Sequence, residues 1–256
     1  MVNFKPNLEN YEKERKSFSY KEAQKEIDFF GGELNAAYNA VERHAKSWRK
    51  NKIALYWVGA ENEKLKFTFK ELNDKTNQFA HMLGSLGVVK GDRVFFFLTR
   101  VPELYFGFLG ALKTGAIAGT MFAAFGPQAI EDRLENSSAK VLVTELNLFD
   151  RVAKAADKLP ELKTILDLGD AEKIAKLELA GLPAGQAGKK VISLTELLEK
   201  QSKEYKTQMM HPNDPAFMLY TSGTTGKPKG LVHTHKYNIH QHMSPKYALD
   251  MKDQDV

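Results

Sequence analysis

The segment "RVFFFLTRVPELYFGFLGALKTGAIAGTM", residues 93–121, combines a strand pattern, a helix pattern and a second strand pattern. Its first six residues are a nearly continuous apolar run, which is typical of a parallel strand covered on both faces. Pro102 suits the first turn of a helix, and that helix is expected to end at Gly115, before the short strand "AIAGTM". Strand, helix and strand at this spacing predict a βαβ unit with parallel strands.

The same alternation continues downstream of this unit. The segment "GPQAIEDRLENS" predicts a helix with Pro127 near its first turn, and "KVLVT", residues 140–144, predicts the next strand. Upstream, the apolar runs at residues 53–58 and 65–69 predict a β-hairpin across a polar turn. The sequence therefore predicts an α/β fold with a doubly wound, largely parallel sheet flanked by helices.

Helical patterns precede the predicted sheet. Thr68 and Glu71 have the spacing of a capping box, which predicts a helix that closes at Gly87. The first 50 residues are expected to be helical, because apolar and aromatic residues recur at three- and four-residue spacing and form one buried face. The members of that face are Ala37, Val41, His44, Ala45 and Trp48. We therefore divide the chain into a helical segment, residues 1–50, and a larger unit, residues 51–256, and expect residues 179–190 to form a loop.

Composition restricts the class of protein. Of the 256 residues, 43% are apolar and 27% are charged, as in an ordinary globular protein. The formal net charge is +5, but the lysines are scattered, which favours a solvated surface over a nucleic-acid groove. The chain has no cysteine, which excludes disulfides and thiolate chemistry. Because it also lacks a secretory apolar segment and a membrane-length apolar run of roughly 18 residues, we expect a cytoplasmic location and no membrane partner.

The segment "YTSGTTGKPKG", residues 220–230, is a hydroxyl-rich loop between two strand patterns, "AFMLY" and "LVHTH". Such a loop directs backbone N–H groups and hydroxyls into one small space, which suits an anion. Gly223 and Gly226 allow positive φ angles and close approach of a ligand to the backbone. Lys227 and Lys229 add positive charge, and Pro228 stiffens the exit of the loop. The segment therefore predicts a phosphate-binding site.

Other phosphate-binding motifs match this segment poorly. A nucleotide P-loop needs four residues between its glycines and a Ser or Thr after the lysine, whereas here there are two residues and Pro228. No Gly-x-Gly-x-x-Gly follows any predicted strand, so the dinucleotide-binding fingerprint is missing. A plain hairpin turn is the remaining alternative, although a turn rarely needs four hydroxyls and two lysines.

The segment at residues 220–230 resembles the phosphate-binding signature of the adenylate-forming superfamily. Residues 34–57, 67–98 and 102–144 resemble the N-terminal part of acetyl-CoA synthetases, with an Asn-x-x-Tyr-Asn stretch followed by "ERHA". The resemblance implies the N-terminal portion of the adenylate-forming enzyme fold. It also implies a two-step reaction, in which a carboxylate and ATP form an acyl-adenylate and pyrophosphate, and CoA then displaces AMP. The implied ligands are ATP, Mg²⁺, CoA and a short carboxylate such as acetate.

The resemblance also implies which residues contact phosphate: Thr221, Ser222, Gly223, Thr224, Thr225, Gly226 and Lys229. It leaves the role of Lys227 open. The family's later adenine, ribose and hinge motifs and its mobile-domain lysine are not found, so the catalytic residues are expected beyond Val256. We therefore expect the N-terminal part of an acid–CoA ligase, inactive alone, whose partner is the remainder of the same enzyme. Two alternatives stay open: a non-catalytic phosphate-binding module, and an adenylating enzyme with another acceptor.

Some candidates outside the loop have weaker support. His233 and His235 would share one side of a strand, with His240 and His242 close by, but no acidic or thiol companions accompany them, and ordinary structural positions are favoured over a metal site. Arg100 and Glu103 flank Pro102 at a strand-to-helix turn, where a surface ion pair is favoured over a ligand contact. The resemblance raises, without settling, a contact of Arg133 and Arg151 with the CoA phosphate.

Overall fold

The computed structural model describes residues 5–174, 189–222 and 226–252. The N-terminal segment consists of short helical pieces. These are α1 (Tyr11–Ser17), α2 (Tyr20–Ala23), a 3₁₀ turn (Gln24–Glu26), a π-helical turn (Tyr38–Glu42), α3 (Arg43–Ala45) and a second 3₁₀ turn (Trp48–Asn51). Among the described residues, no helix is long and apolar enough to cross a membrane.

A two-stranded antiparallel hairpin follows, formed by β1 (Ile53–Val58) and β2 (Lys64–Thr68), as the sequence predicts. The Thr68 side chain accepts from the backbone N–H of Glu71, and the Glu71 carboxylate accepts from the backbone N–H of Thr68. This capping box starts α4 (Phe69–Ser85), so Phe69 belongs to the helix and not to the strand. Gly87 follows α4 with a φ of 76°, which confirms the predicted end of the helix.

Further strands and helices follow α4. In chain order they are β3 (Arg93–Phe97), α5 (Pro102–Lys113), β4 (Ile117–Met121), α6 (Pro127–Ser137), β5 (Val141–Thr144), α7 (Leu146–Ala156), β6 (Thr164–Asp167), β7 (Lys190–Ser193), α8 (Leu194–Glu199), β8 (Pro215–Thr221), β9 (Lys229–Thr234) and α9 (Tyr237–Ala248). These seven strands form the main sheet in the described part of the chain, in the order β7-β6-β5-β3-β4-β8-β9. All neighbouring strands are parallel except β8 and β9, which confirms the predicted largely parallel sheet.

Helices cover the sheet on both faces, and the alternation of β3 explains why. Val94 and Phe96 pack with residues of α4 and α5, whereas Phe95 and Phe97 pack with residues of α6 and α7. All four side chains are buried, because successive residues of a strand point to opposite faces. This confirms the doubly wound arrangement. The connection that leaves β3 and the connection that leaves β4 therefore run on opposite faces, which opens a crevice at the carboxyl edge of the sheet.

Polar contacts hold the N-terminal segment together and join it to α5 and to the segment before β8. Asn35 donates from Nδ2 to the carbonyl oxygens of Leu112 (2.7 Å) and Gln208 (2.8 Å). Asn39 accepts from the backbone N–H of Asp28 at 2.8 Å. The Asn-x-x-Tyr-Asn stretch thus contributes buried hydrogen bonds to the interface between the N-terminal segment and α5.

The predicted helical face of the first 50 residues is only partly correct. Ala37, Val41 and Ala45 are buried, but Trp48 is 75% exposed. The reason is local, because Ser47 caps the 3₁₀ turn at Trp48–Asn51 and the chain leaves the helical path there. The predicted loop at residues 179–190 lies almost wholly outside the described residues, and the division of the chain at residue 50 stays a prediction.

A glycine at the contact between α4 and α5 provides a test of this packing. A Cβ atom at Gly110 would lie 2.7 Å from Phe79 Cβ and 3.0 Å from the carbonyl oxygen of Thr76. We expect Gly110→Ala to lower the free energy of unfolding by about 1–3 kcal/mol, as overpacking does. Gly84 on α4 is the matched control, since a Cβ there meets nothing within 4 Å. Gly84→Ala should raise the free energy of unfolding by up to about 1 kcal/mol. Urea unfolding measures the free energy of unfolding of both variants. Equal changes in the two variants would contradict the close packing of Gly110 against α4.

Candidate functional site

The hydroxyl-rich segment connects β8 to β9, which confirms the predicted order of strand, loop and strand. Thr221, the last residue of β8, is the cross-strand partner of Lys229, the first residue of β9. Directly opposed residues of antiparallel strands have Cβ atoms about 4.5–5.5 Å apart on the same face. A hydroxyl and an ammonium group therefore extend side by side from the base of the loop, and both residues are exposed.

Within the loop, Gly226 has a φ of 85°, a left-handed conformation that side chains rarely adopt. Ser222 and Lys227 are exposed. Gly223, Thr224 and Thr225 lie outside the described residues, and their contacts with phosphate stay predictions. The described part of the loop thus presents one hydroxyl from Thr221, one from Ser222 and two ammonium groups to solvent, which is a suitable donor set for a phosphate chain.

A cavity of about 760 Å³ adjoins the base of the loop at the carboxyl ends of β3, β4 and β8. We call it the sheet-edge cavity. Its lining includes Thr99 and Arg100 after β3, Thr120 and Phe122 at the end of β4, Arg133 from α6, and Thr221. The volume is in the range of small-molecule sites, and ligands of open α/β sheets bind at this edge. Among the described residues that line it there are two arginines and no carboxylate, so the cavity favours an anionic ligand.

Arg133 and Arg151, the two arginines considered for a CoA contact, have different environments. The Arg133 guanidinium lies 4.0 Å from the centre of the Phe125 ring, and its Nη1 donates to the carbonyl oxygen of Ala129 at 2.7 Å. Arg151 donates from Nη1 to the carbonyl oxygens of Ala123 (2.7 Å) and Phe125 (3.1 Å). Arg151 therefore shapes the loop after β4, whereas Arg133 borders the sheet-edge cavity. The CoA contact suggested for these residues stays a prediction.

Residues 41–256 match the family model described as AMP-binding enzyme. The chain belongs to this family. Acetyl-coenzyme A synthetase of Bacillus subtilis is 42% identical to it over 98% of the chain and 41% of that protein's length. The 3-hydroxypropionyl-coenzyme A synthetase of Sulfurisphaera tokodaii is 37% identical over 88% of the chain and 34% of its own length. The chain thus spans about two fifths or less of the length of these curated relatives.

Solved structures of the family have the same fold. An acyl-CoA synthetase of Brucella canis superposes on 96% of the chain with a TM-score of 0.81 and 25% identity, and the match covers 42% of that structure. The anthranilate CoA ligase AuaEII, crystallised with anthranoyl-AMP, superposes on 86% of the chain with a TM-score of 0.68 and 26% identity, over 37% of its own length. The doubly wound sheet described above is therefore an AMP-binding enzyme fold.

The ion pair expected between Arg100 and Glu103 is not formed. No salt bridge joins them in the described part of the chain, and Arg100 instead borders the sheet-edge cavity. The carbonyl oxygen of Arg100 accepts from Trp57 Nε1 at 2.6 Å, which fixes the backbone at the end of β3. The prediction was wrong because α5 begins at Pro102, so Glu103 lies in its first turn, whereas Arg100 lies in the loop after β3 and lines the cavity.

His233 and His235 lie in separate environments, because His233 belongs to β9 and His235 follows the end of that strand. His233 is stacked on Phe217, with ring centres 4.5 Å apart, and is 4.4 Å from Tyr237. His235 lies beyond β9 and is buried, and its Nδ1 accepts from the backbone N–H of Ala36 at 3.1 Å. Burial lowers the pKa of His235 to about 4. Across the described ranges, no group of three or more His, Cys, Asp or Glu residues is arranged to hold a metal ion.

No role was predicted from the sequence for Tyr220, Thr99 or Thr120. Tyr220 was noted only as the first letter of the motif, yet it borders the sheet-edge cavity together with Thr99 and Thr120. A signal for the threonines was present, since each lies at or just after the end of an apolar strand, and these ends meet at one edge of a parallel sheet.

Proposed function

We propose that the protein is an AMP-forming acid–CoA ligase, which joins acetate or another short carboxylate to CoA with conversion of ATP to AMP and pyrophosphate. The observation that carries this proposal is the exposed Thr221–Lys229 pair at the base of the glycine- and hydroxyl-rich loop, beside a cavity bordered by arginines. Membership of the AMP-binding enzymes supports it. Because the chain spans about two fifths of the length of its relatives, the activity proposed is that of a whole protein.

In the first step, a carboxylate oxygen of the acid forms a bond to the α-phosphorus of ATP, and the bond from that phosphorus to the pyrophosphate oxygen breaks. Negative charge then builds on the departing pyrophosphate. We propose that this charge is stabilised by the loop residues Thr221, Ser222, Gly223, Thr224, Thr225, Gly226 and Lys229. Hydrogen bonds that involve a charged partner are worth roughly 1.5–3 kcal/mol each, so a few of them suffice for a large rate effect.

In the second step, the CoA sulfur attacks the acyl carbon of the adenylate, and AMP leaves. Neither step needs a covalent enzyme nucleophile, so the task of the protein is placement and charge stabilisation.

The described loop residues carry no carboxylate, which is why we propose that Mg²⁺ enters bound to the phosphates of ATP. Residues 51–256 would be part of the large AMP-binding domain. We propose small-molecule substrates and a cytoplasmic location.

The relatives do not agree on one carboxylate. Their names specify acetate and 3-hydroxypropionate, and one structural neighbour is named for anthranilate. We propose a short carboxylate, with acetate first, since acetyl-coenzyme A synthetases are frequent among the relatives.

The test is carboxylate-dependent exchange of labelled pyrophosphate into ATP, measured on the natural gene product that carries this chain, with the 256-residue chain beside it. We expect exchange that requires acetate, propionate or 3-hydroxypropionate, and formation of AMP when CoA is added. Formation of ADP in place of AMP would contradict the proposal. Phosphate binding without exchange by the natural product would favour the non-catalytic module, and acyl transfer to an acceptor other than CoA would favour another adenylating enzyme.

A further inference from the structure

The two ends of the loop motif, Tyr220 and Gly230, are cross-strand partners at the base of the loop, next to the Thr221–Lys229 pair. A Cβ atom at Gly230 would lie 3.3 Å from the Tyr220 ring and 3.0 Å from Met218 Sδ. The Tyr220 ring therefore occupies the space that a side chain at position 230 would need. An aromatic ring placed against a cross-strand glycine in this way stabilises the pair and its register.

The hydroxyl of Tyr220 connects the same strand to α6. Its single proton is shared by two acceptors, Asn136 Oδ1 at 2.7 Å and the carbonyl oxygen of Arg133 at 3.1 Å, of which Asn136 is the nearer. Burial raises the pKa of the Tyr220 hydroxyl, so it keeps its proton and remains a donor at neutral pH. The end of β8 is thereby held to a helix that does not belong to the loop.

The orientation of Tyr220 also determines the orientation of its neighbour. Tyr220 packs with the α6 and α7 side of the core, and its ring centre is 6.3 Å from that of Phe95. Because successive residues of a strand point to opposite faces, Thr221 extends from the other face, together with Lys229. If the end of β8 rotated so that Tyr220 moved away from α6, the side chains of Thr221 and Lys229 would also change direction and would no longer face the same ligand position.

We infer that Tyr220 is a positioning residue for the departure of pyrophosphate: its ring and hydroxyl hold the base of the loop so that Thr221 and Lys229 face the same phosphate. This inference rests on the proposed function above. Tyr220 touches no reacting atom in this role, and it acts through the β8–β9 pairing and through Asn136. The second half-reaction contains no pyrophosphate, so it should not depend on Tyr220.

The test compares Tyr220→Phe with Tyr56→Phe, which removes a hydroxyl from an exposed tyrosine on the remote hairpin. In the natural-length protein, Tyr220→Phe should slow carboxylate-dependent pyrophosphate exchange by about three- to tenfold, the effect of one ordinary hydrogen bond. Acyl transfer from ready-made adenylate to CoA should keep its rate, and Tyr56→Phe should leave both halves unchanged.

A double-mutant cycle with Asn136→Ala makes the test specific. Asn136→Ala should reproduce most of the Tyr220→Phe effect on exchange, and the double variant should be no slower than the slower single variant. Exchange by Tyr220→Phe within a factor of two of the unmodified protein, or equal slowing of both half-reactions, would overturn the inference and leave the proposed function intact. Absence of exchange in the unmodified protein would overturn the proposed function, and the inference with it.

Discussion

Lys113→Ala should lower the free energy of unfolding by about 3–5 kcal/mol, because it removes the cation from a buried polar cluster. Lys113 is the last residue of α5, and its side chain is fully buried. Its Nζ donates to Asn73 Oδ1 at 2.7 Å and to Asn77 Oδ1 at 2.6 Å, and it lies 3.5 Å from Glu42 Oε2. Without it, a buried carboxylate and two buried amides lose a partner, and a cavity remains. Urea unfolding of the 256-residue chain measures the loss.

Lys70→Ala is the matched control, since it removes the same charge from an exposed face of α4. Lys70 lies 2.6 Å from Asp74 in an i,i+4 ion pair, and its side chain is 56% exposed. Exposed pairs of this kind contribute about 0–1 kcal/mol. Equal losses in the two variants would mean that the buried contacts of Lys113 contribute no more than a surface pair.

The lowered pKa of Lys113 should make the free energy of unfolding depend on pH. Burial lowers the pKa of Lys113 from 10.5 to about 8. Between pH 8 and 10.5 the unfolded chain therefore holds a proton that the folded chain has lost, and the contribution of this group to the free energy of unfolding rises with pH. The rise is about 3 kcal/mol over that interval. Lys113→Ala should lack it, so the difference in stability between the two proteins should widen from pH 8 to pH 10.

Lys229→Ala should slow adenylate formation by about ten- to hundredfold in the natural-length protein. Lys229 stands beside Thr221 at the base of the loop, where the charge of the departing pyrophosphate would need a cation. Loss of one charge-assisted hydrogen bond costs roughly 1.5–3 kcal/mol, and 1.4 kcal/mol corresponds to a factor of ten. Acyl transfer from ready-made adenylate should keep its rate. Single-turnover assays of the two half-reactions measure these effects separately.

Lys236→Ala is the control for this variant, because Lys236 is an exposed lysine beyond β9 and outside the loop. It removes the same charge and should leave both half-reactions unchanged. Thermal unfolding of Lys229→Ala should also be unchanged, since its side chain is exposed. An equal loss in both half-reactions would mean that Lys229 maintains the whole site, and its role at the pyrophosphate would have to be abandoned.

Most of the sheet could be predicted from local patterns, and the site only in part. The apolar run of β3, the capping box at Thr68 and the loop between β8 and β9 are all short-range features that the structure confirms. The region after β5 was harder to interpret: α7 and α8 were not predicted there. The ion pair of Arg100 and Glu103 was predicted wrongly, since proximity in sequence across a proline does not give proximity of side chains.

Apolar periodicity and turn chemistry are properties of a few neighbouring residues. They were sufficient to predict the parallel sheet and a hydroxyl-rich loop at its edge, and the binding of phosphate by that loop stays a prediction. The partners of buried polar groups could not be predicted in this way, because they come from distant parts of the chain. Lys113 meets Glu42 and Asn73, and Tyr220 meets Asn136, through the packing of separate helices and strands. No local pattern encodes such contacts, since each depends on how folding arranges elements that are far apart in sequence.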